Sequence, residues 1–301
     1  MLVKLAESGL KEQQRSRRWG IFFKLLGFAY LGIFLIGMID WNLTGLSEGT
    51  RHTAMVEMTG VIANGETASA ENVISGLRAA FENGRSAAVI LKINSPGGSP
   101  VQAGYINREI TRLRALHPEK PLYAVVTDIC ASGGVFAAVA ADEIYADKAS
   151  IVGSIGVMMD GFGFVEAMQK LGIERRLMIA GEHKGFLDPF SPAEQFEKEH
   201  VQNLLDEIHQ QFIEAVKAGR GDRLVDDTKI FSGLFWTGEQ AHEIGLVDGF
   251  GSVGYVAREV VGVERIQDYT YREDVLQRFA KQLGSALITP VREAVTYPVI
   301  R

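Results

Sequence analysis

Ala87-Ala88-Val89-Ile90-Leu91-Lys92-Ile93-Asn94-Ser95-Pro96-Gly97-Gly98 decides the fold, and Leu122-Tyr123-Ala124-Val125-Val126 with Cys130-Ala131-Ser132-Gly133-Gly134 behind it repeats the theme. Each begins as a near-continuous apolar run, the pattern of a strand buried on both faces, and each reaches a glycine-rich junction before a helix. Helical spacing fills the gaps between strands. Val73, Ile74, Leu77, Ala80 and Phe81 recur on one face of Ser69–Asn83, and Ile106, Ile110 and Leu113 on one face of Val101–Leu116. Strands alternating with helices predict α/β architecture, whose functional groups gather at the carboxyl ends of strands.

On either side of these runs, Thr53–Met58 reads as a first strand, and Val135–Ala141 as a helix of small residues. Ile144–Ala146, Ile151–Val157 and Arg175–Ile179 read as further strands, and Phe164–Leu171 as a helix. A long helix is predicted from Pro192 to about Ala218, with Ser191 at the N-cap, Pro192 at N1 and Glu194 at N3. Ala241–Val247 and Val253–Val261 close the core. Gln267–Arg301 is amphipathic or irregular.

The N-terminus carries a different signal. Lys4, Lys11, Arg15, Arg17 and Arg18 precede an apolar run from Trp19 to Ile39 that only Lys24 interrupts. A bilayer-spanning helix needs about 20 apolar residues, a lysine near its end can snorkel, and Trp19 and Trp41 bracket the run as interfacial anchors. No A-x-A-like cleavage site follows, so a cleaved leader is the weaker reading. The excess of basic residues before the run predicts a cytoplasmic N-terminus. The expected organisation is a cytoplasmic segment (1–18), a transmembrane anchor (19–41), a linker (42–52) that includes His52, a catalytic domain (53–264) and a tail (265–301).

Composition excludes several classes. With 301 residues, 47% of them hydrophobic, the chain can bury a large core. The net charge of -6 comes from scattered acids, which leaves no basic stripe for nucleic acid. The single cysteine, Cys130, rules out an intrachain disulfide framework and a zinc site built on several thiolates. It is expected to point into the core, where thiols are inert.

Acyl transfer needs a nucleophile, a base and donors for an oxyanion. Ser132 is the candidate nucleophile, after a buried strand and at a helix start where backbone N–H groups are unpaired. From the pentapeptide alone, an ordinary serine N-cap with glycines for a tight turn is the stronger reading. Ser95-Pro96-Gly97-Gly98-Ser99 offers a second glycine junction on the preceding strand. For the base, His52, His117, His200, His209 and His242 are poorly placed, while His183 and Lys184 share the loop Gly181-Glu182-His183-Lys184-Gly185-Phe186. The residues alone leave those two open.

Five segments together carry a family resemblance. They are Ser95–Ser99, Ala131–Gly134, Gly153-Ser154-Ile155-Gly156-Val157, Lys184 with Pro189-Phe190, and Trp236-Thr237-Gly238 through Gly245-Leu246-Val247-Asp248. In order and spacing they resemble the signal peptide peptidase A family of bacterial membrane proteases, over roughly Thr53–Val261. The resemblance implies a superhelix of β-β-α units shared with crotonases and Clp-type proteases, Ser132 as nucleophile and Lys184 as general base. It also implies Ser154 as the hydroxyl orienting the lysine, and the N–H groups of Gly98 and Gly133 as the oxyanion hole.

The same resemblance implies a catalytic domain on the outer, periplasmic face of the bacterial cytoplasmic membrane. The expected substrates are cleaved signal peptides, and the chain is expected to form homo-oligomers, with no cofactor, no metal and no nucleic-acid partner. The chain departs from the family in having His183 before the lysine and Gly185-Phe186 after it. A lysine base must be neutral, which demands an apolar surrounding that Phe162, Phe164, Phe186 and Phe190 are available to supply. Apolar side chains near Met158 and Phe162 are the expected substrate-binding positions. Two other readings are a crotonase-like acyl-CoA hydratase or isomerase, whose enolate also needs two N–H donors, and a scaffold with a decayed protease site.

Overall fold

Three long strands form the middle of the sheet: β1 (His52–Thr59), β2 (Ser86–Ser95) and β3 (Leu122–Ala131). The structure is a computed structural model that describes residues 15, 17–33 and 50–272. β1 and β2 pair in parallel from Thr53↔Ala88 to Thr59↔Asn94, and β2 and β3 from Val89↔Leu122 onward. Val89, Leu91, Ile93, Ala124 and Val126 are all buried, as their near-continuous apolar runs require.

β3 runs five residues beyond the expected Val126. Thr127 and Asp128 do not end it because their polar groups are satisfied on the strand: Thr127 Oγ1 donates to the Ile93 carbonyl, and Asp128 accepts from Asn94 Nδ2 at 2.7 Å. Its first half pairs with β4 (Glu143–Ala146) and its second half with β5 (Ile151–Gly153). The short β6 (Phe235–Thr237), β7 (Gly249–Phe250) and β8 (Ile266–Asp268) complete an eight-stranded sheet with the path β6-β5-β3-β2-β1-β8 and β4–β7 branching from β3. All pairs are parallel except β5–β6. β8, read from sequence as part of the tail, is an edge strand of the sheet.

Helices α1 (Ala70–Glu82) and α2 (Pro100–Leu116) cover one face. Each opens on a serine whose side chain caps it, Ser69 for α1 and Ser99 for α2. Lys120 Nζ closes α1 by donating to the carbonyls of Phe81 (2.6 Å) and Asn83 (2.8 Å). α3 (Gly133–Ala138) packs beside α2, the short α4 (Val165–Leu171) follows, and Phe136 meets Phe212 of the long helix α5 (Gln195–Arg220) with ring centroids 5.0 Å apart. On the opposite face Ile90 and Val125 pack on Val256 and Ala257. The loop after α5 is pinned by Arg220, fully buried, which donates to both carboxylate oxygens of Asp248 at 2.8 Å and to the Gly245 carbonyl.

Several expectations need correction. Arg175–Ile179 is not a strand, and the strand begun at Ile151 ends at Gly153. α5 starts at Gln195, because Ser191 commits its hydroxyl to Asp188 while Glu194 and Glu197 form the capping box. His52 is no linker residue. It opens β1, is buried, and its Nε2 lies 2.9 Å from the Tyr269 hydroxyl.

Residues 17–33 are helical and carry exposed Trp19, Phe22, Phe28 and Ile33. The expected span continues to Trp41, outside the described residues; among those described, no helix is long and apolar enough to cross a membrane.

Candidate active site

Ser132 occupies the step from β3 into α3 with φ 49° and ψ −119°, a left-handed conformation that a non-glycine residue adopts only under constraint. The constraint is visible. Its N–H donates to the Gly153 carbonyl at 2.8 Å, and its carbonyl accepts from Phe136 N–H at 3.0 Å. Ser132 sits at an N-cap position, yet its side chain makes no cap hydrogen bond. Ser69, Ser99, Thr237 and Ser252 all do. The plain capping reading of Ser132 therefore falls, and its half-buried hydroxyl has no partner among the described residues.

Gly97 and Gly98 meet it from β2. They have φ values of 97° and 149°, and a Cβ on Gly97 would lie 2.7 Å from Ser132 Cβ and 2.8 Å from Gly133 N. Gly98 forms a parallel bridge with Ile62, through Ile62 N–H to the Gly97 carbonyl (2.8 Å) and Ser99 N–H to the Ile62 carbonyl (2.7 Å). In such a bridge the N–H of the middle residue points the other way. That direction leads to Gly133, whose Cβ position would be 3.4 Å from Gly98 N. Gly133 is the first residue of α3, so its own N–H has no intrahelical partner. Two open N–H groups thus converge beside the Ser132 corner.

Ser154 lies one residue beyond the carbonyl that holds Ser132. It too has a left-handed backbone (φ 53°), and its N–H donates to the Leu234 carbonyl at 2.7 Å. Gly153 before it admits no side chain, because a Cβ would strike the Trp236 ring at 2.6 Å. His209, set aside in the sequence as poorly placed for a base, makes a contact near this corner that the sequence did not show. From α5 its Nε2 comes within 3.2 Å of the Ile155 carbonyl, next to Ser154, and a histidine on a long helix gives no sequence signal of such a contact.

Lys184 is placed differently. It is exposed on a turn in which its N–H donates to the Gly181 carbonyl, and its amine has no hydrogen-bond or ion-pair partner among the described residues. The turn is held to the start of α5. The His183 ring packs on Phe196 (4.9 Å), Phe186 meets His200 edge-on (5.6 Å), and Leu187 N–H donates to Glu197 Oε1. Arg175 pairs with Asp188 and lies over the Phe190 ring. Phe164 stacks on Phe190 and lies near Phe162, so these rings shield one another and not the lysine. Met158 and Phe162 are 80% and 78% exposed.

Cys130, two residues before Ser132, is buried, and burial pushes its thiol up to about 12. It has no thiolate to offer. A strained serine with a free hydroxyl, beside two open N–H donors and flanked by a second serine, is the equipment of acyl transfer.

Comparison with known proteins agrees. The pattern of peptidase family S49 matches residues 114–263. A region of a Na(+)/H(+) antiporter NhaA of Brucella melitensis is 45% identical over 68% of this chain and 28% of that protein. A protease of Synechocystis is 34% identical over 66% of this chain and 69% of its own length. The chloroplastic serine protease SPPA of Arabidopsis thaliana is 30% identical over 72% of this chain and 33% of its own. The chain belongs to peptidase family S49, the family of the SppA-type proteases. It spans about 28% of the antiporter-named relatives and about half of an archaeal protease of Methanocaldococcus jannaschii.

Proposed function

We propose that this chain is a membrane-bound endopeptidase working through a Ser/Lys dyad, with Ser132 as nucleophile and Lys184 as general base. The observation that carries the reading is the strained Ser132 with its uncommitted hydroxyl beside the Gly98 and Gly133 N–H groups. Ser132 Oγ adds to the scissile carbonyl while its proton passes to the neutral Lys184 amine, and the carbonyl electron pair moves to oxygen, where the two N–H groups receive it. Collapse breaks the C–N bond, and the protonated lysine returns the proton to the leaving amine. Water then attacks the acyl ester, gives a proton to Lys184, and releases the acid as Ser132 regains its hydrogen. Ser154 orients the lysine amine. The sheet and its flanking helices suit a Clp-type or crotonase-type superhelix.

Lys184 must lose water contact to act as a base. Around it the segment from Met158 to Phe196 exposes an unusual amount of apolar surface, with Met158, Phe162, Leu171 and Met178 each at least 73% exposed. A second copy of the chain covering the Leu171 and Met178 part of this surface would bury it together with the lysine and leave Met158 and Phe162 to substrate, which supports a homo-oligomer. Apolar peptides, including cleaved signal peptides, are the substrates that Met158 and Phe162 suit. The basic N-terminus and the apolar run from Trp19 support an anchor in the bacterial cytoplasmic membrane, with the catalytic domain on its outer face.

The test is hydrolysis by the full-length protein in detergent of a peptide panel with leucine, alanine or a charged residue at the cleavage position. Fastest cutting at leucine or alanine is expected; fastest cutting at charge refutes the apolar-substrate reading.

A further inference from the structure

Beneath the Gly97–Gly98 turn lies a side chain that the mechanism above does not use. Ser95 is fully buried, and its hydroxyl has two partners: it donates to the Gly60 carbonyl at 2.6 Å and accepts from Gly97 N–H at 3.1 Å. Its backbone pairs with Cys130, just after the register of the β2–β3 ladder shifts between Ile93 and Ser95. Its carbonyl lies 3.3 Å from the Cβ position of Gly134. One residue therefore joins the end of β1, the glycine turn after β2 and the elbow after β3.

We propose that Ser95 is a positioning residue for the reaction, its hydroxyl setting the direction of the Gly98 N–H toward the Ser132 corner. The proposal rests on the reading of Ser132 as nucleophile and Gly98 as oxyanion donor. Gly97 and Gly98 both occupy conformations that glycine samples freely, so nothing intrinsic to them fixes the N–H. The peptide between them is held at one end by Ile62, through the Gly97 carbonyl. The preceding peptide, whose N–H belongs to Gly97, is held by Ser95. With both peptides tied, Gly98 N–H has one direction left. Without Ser95 the turn keeps only its ties to Ile62, the peptide before Gly97 is released, and the part-buried Gly60 carbonyl and the buried Gly97 N–H lose their partner.

The experiment compares Ser95→Ala, Ser95→Thr, Ser132→Ala and wild type, each full length in detergent, on one apolar peptide and on its aldehyde analogue. The aldehyde adds to Ser132 as a hemiacetal: the Oγ–C bond forms, the carbonyl pair moves to oxygen, and the Oγ proton passes to the base. Misplacement of a donor acts on the transition state, so Ser95→Ala is expected to lower kcat by ~10- to 100-fold with KM within ~2-fold. Aldehyde affinity should fall in step with kcat, and Ser95→Thr, which keeps the hydroxyl, should recover most of both. The folded fraction of each variant is measured by circular dichroism. Wild-type kcat and aldehyde affinity in folded Ser95→Ala overturns the proposal, as does a loss no larger than the loss of folded protein. If Ser95→Ala does not fold, Ser95→Cys, with its weaker donor, takes its place under the same criteria. Full turnover by Ser132→Ala removes the underlying reading along with the proposal; an inactive Ser132→Ala beside an unimpaired Ser95→Ala removes the proposal alone.

Discussion

The backbone N–H of Ser132 donates to the carbonyl of Gly153, one residue before Ser154, so the two serines with left-handed backbones stand on either side of a single ladder hydrogen bond. This bond couples the end of β3 to the end of β5. Each strained residue is held from outside itself, Ser132 by Gly153 and Phe136, Ser154 by Leu234.

Gly97 is where that arrangement is easiest to break. A methyl group there would lie 2.7 Å from both the Ala131 carbonyl and Ser132 Cβ, on a backbone with φ 97°. Gly97→Ala should lower kcat by at least ~100-fold, the scale of losing an oxyanion donor. It should also destabilise the fold by about 1–3 kcal/mol through backbone strain. Steady-state kinetics alongside thermal unfolding checks both; wild-type turnover in a destabilised variant contradicts the account.

Cys130 tests the choice of nucleophile from the other side. Its thiol is raised to about 12, against about 8.5 for a free cysteine, because the side chain is buried in the core. The native protein should resist iodoacetamide at pH 8 and react once unfolded in guanidinium, with peptidase activity unchanged by exposure of the native protein to the reagent. Rapid native alkylation with loss of activity would return the thiol to consideration.

Much of this was legible before the structure. Buried parallel strands need near-continuous apolar runs, and β2 and the first half of β3 have them; the glycine pairs at Gly97-Gly98 and Gly133-Gly134 mark the two junctions that meet at Ser132. What sequence could not give lay in long-range partners. His52 reads as a linker residue until Tyr269 closes on it from the far end of the domain. Ser191 has the chemistry of an N-cap, but Asp188 takes its hydroxyl and Glu194 caps instead. β6, β7 and β8 have only two or three residues each, too few to show a period. Arg175–Ile179 ends in a short apolar run like a strand, yet no neighbouring strand pairs with it. The base was the hardest point, because neither His183 nor Lys184 makes a polar side-chain contact with Ser132 among the described residues.

Glu109 sets an acid limit on stability. It is 10% exposed, and its carboxylate accepts from Arg112 and from Arg78, which hold its pKa down to about 2. In the unfolded chain it titrates near ~4.3. The folded value is the lower one, so the stabilisation is fully present above about pH 4.3 and is lost as pH falls toward 2. Urea unfolding at a series of pH values should show this slope in wild type and a shallower one in Glu109→Gln. Equal slopes would show that the carboxylate contributes nothing to acid sensitivity.

The most direct test of the central claim is peptidase activity of wild type, Ser132→Ala, Lys184→Ala and His183→Ala, full length in detergent, on an apolar signal-peptide fragment. The Ser/Lys account predicts that Ser132→Ala and Lys184→Ala each lose turnover while His183→Ala retains it; a His183→Ala protein without activity beside an active Lys184→Ala would make the base a histidine and contradict the account.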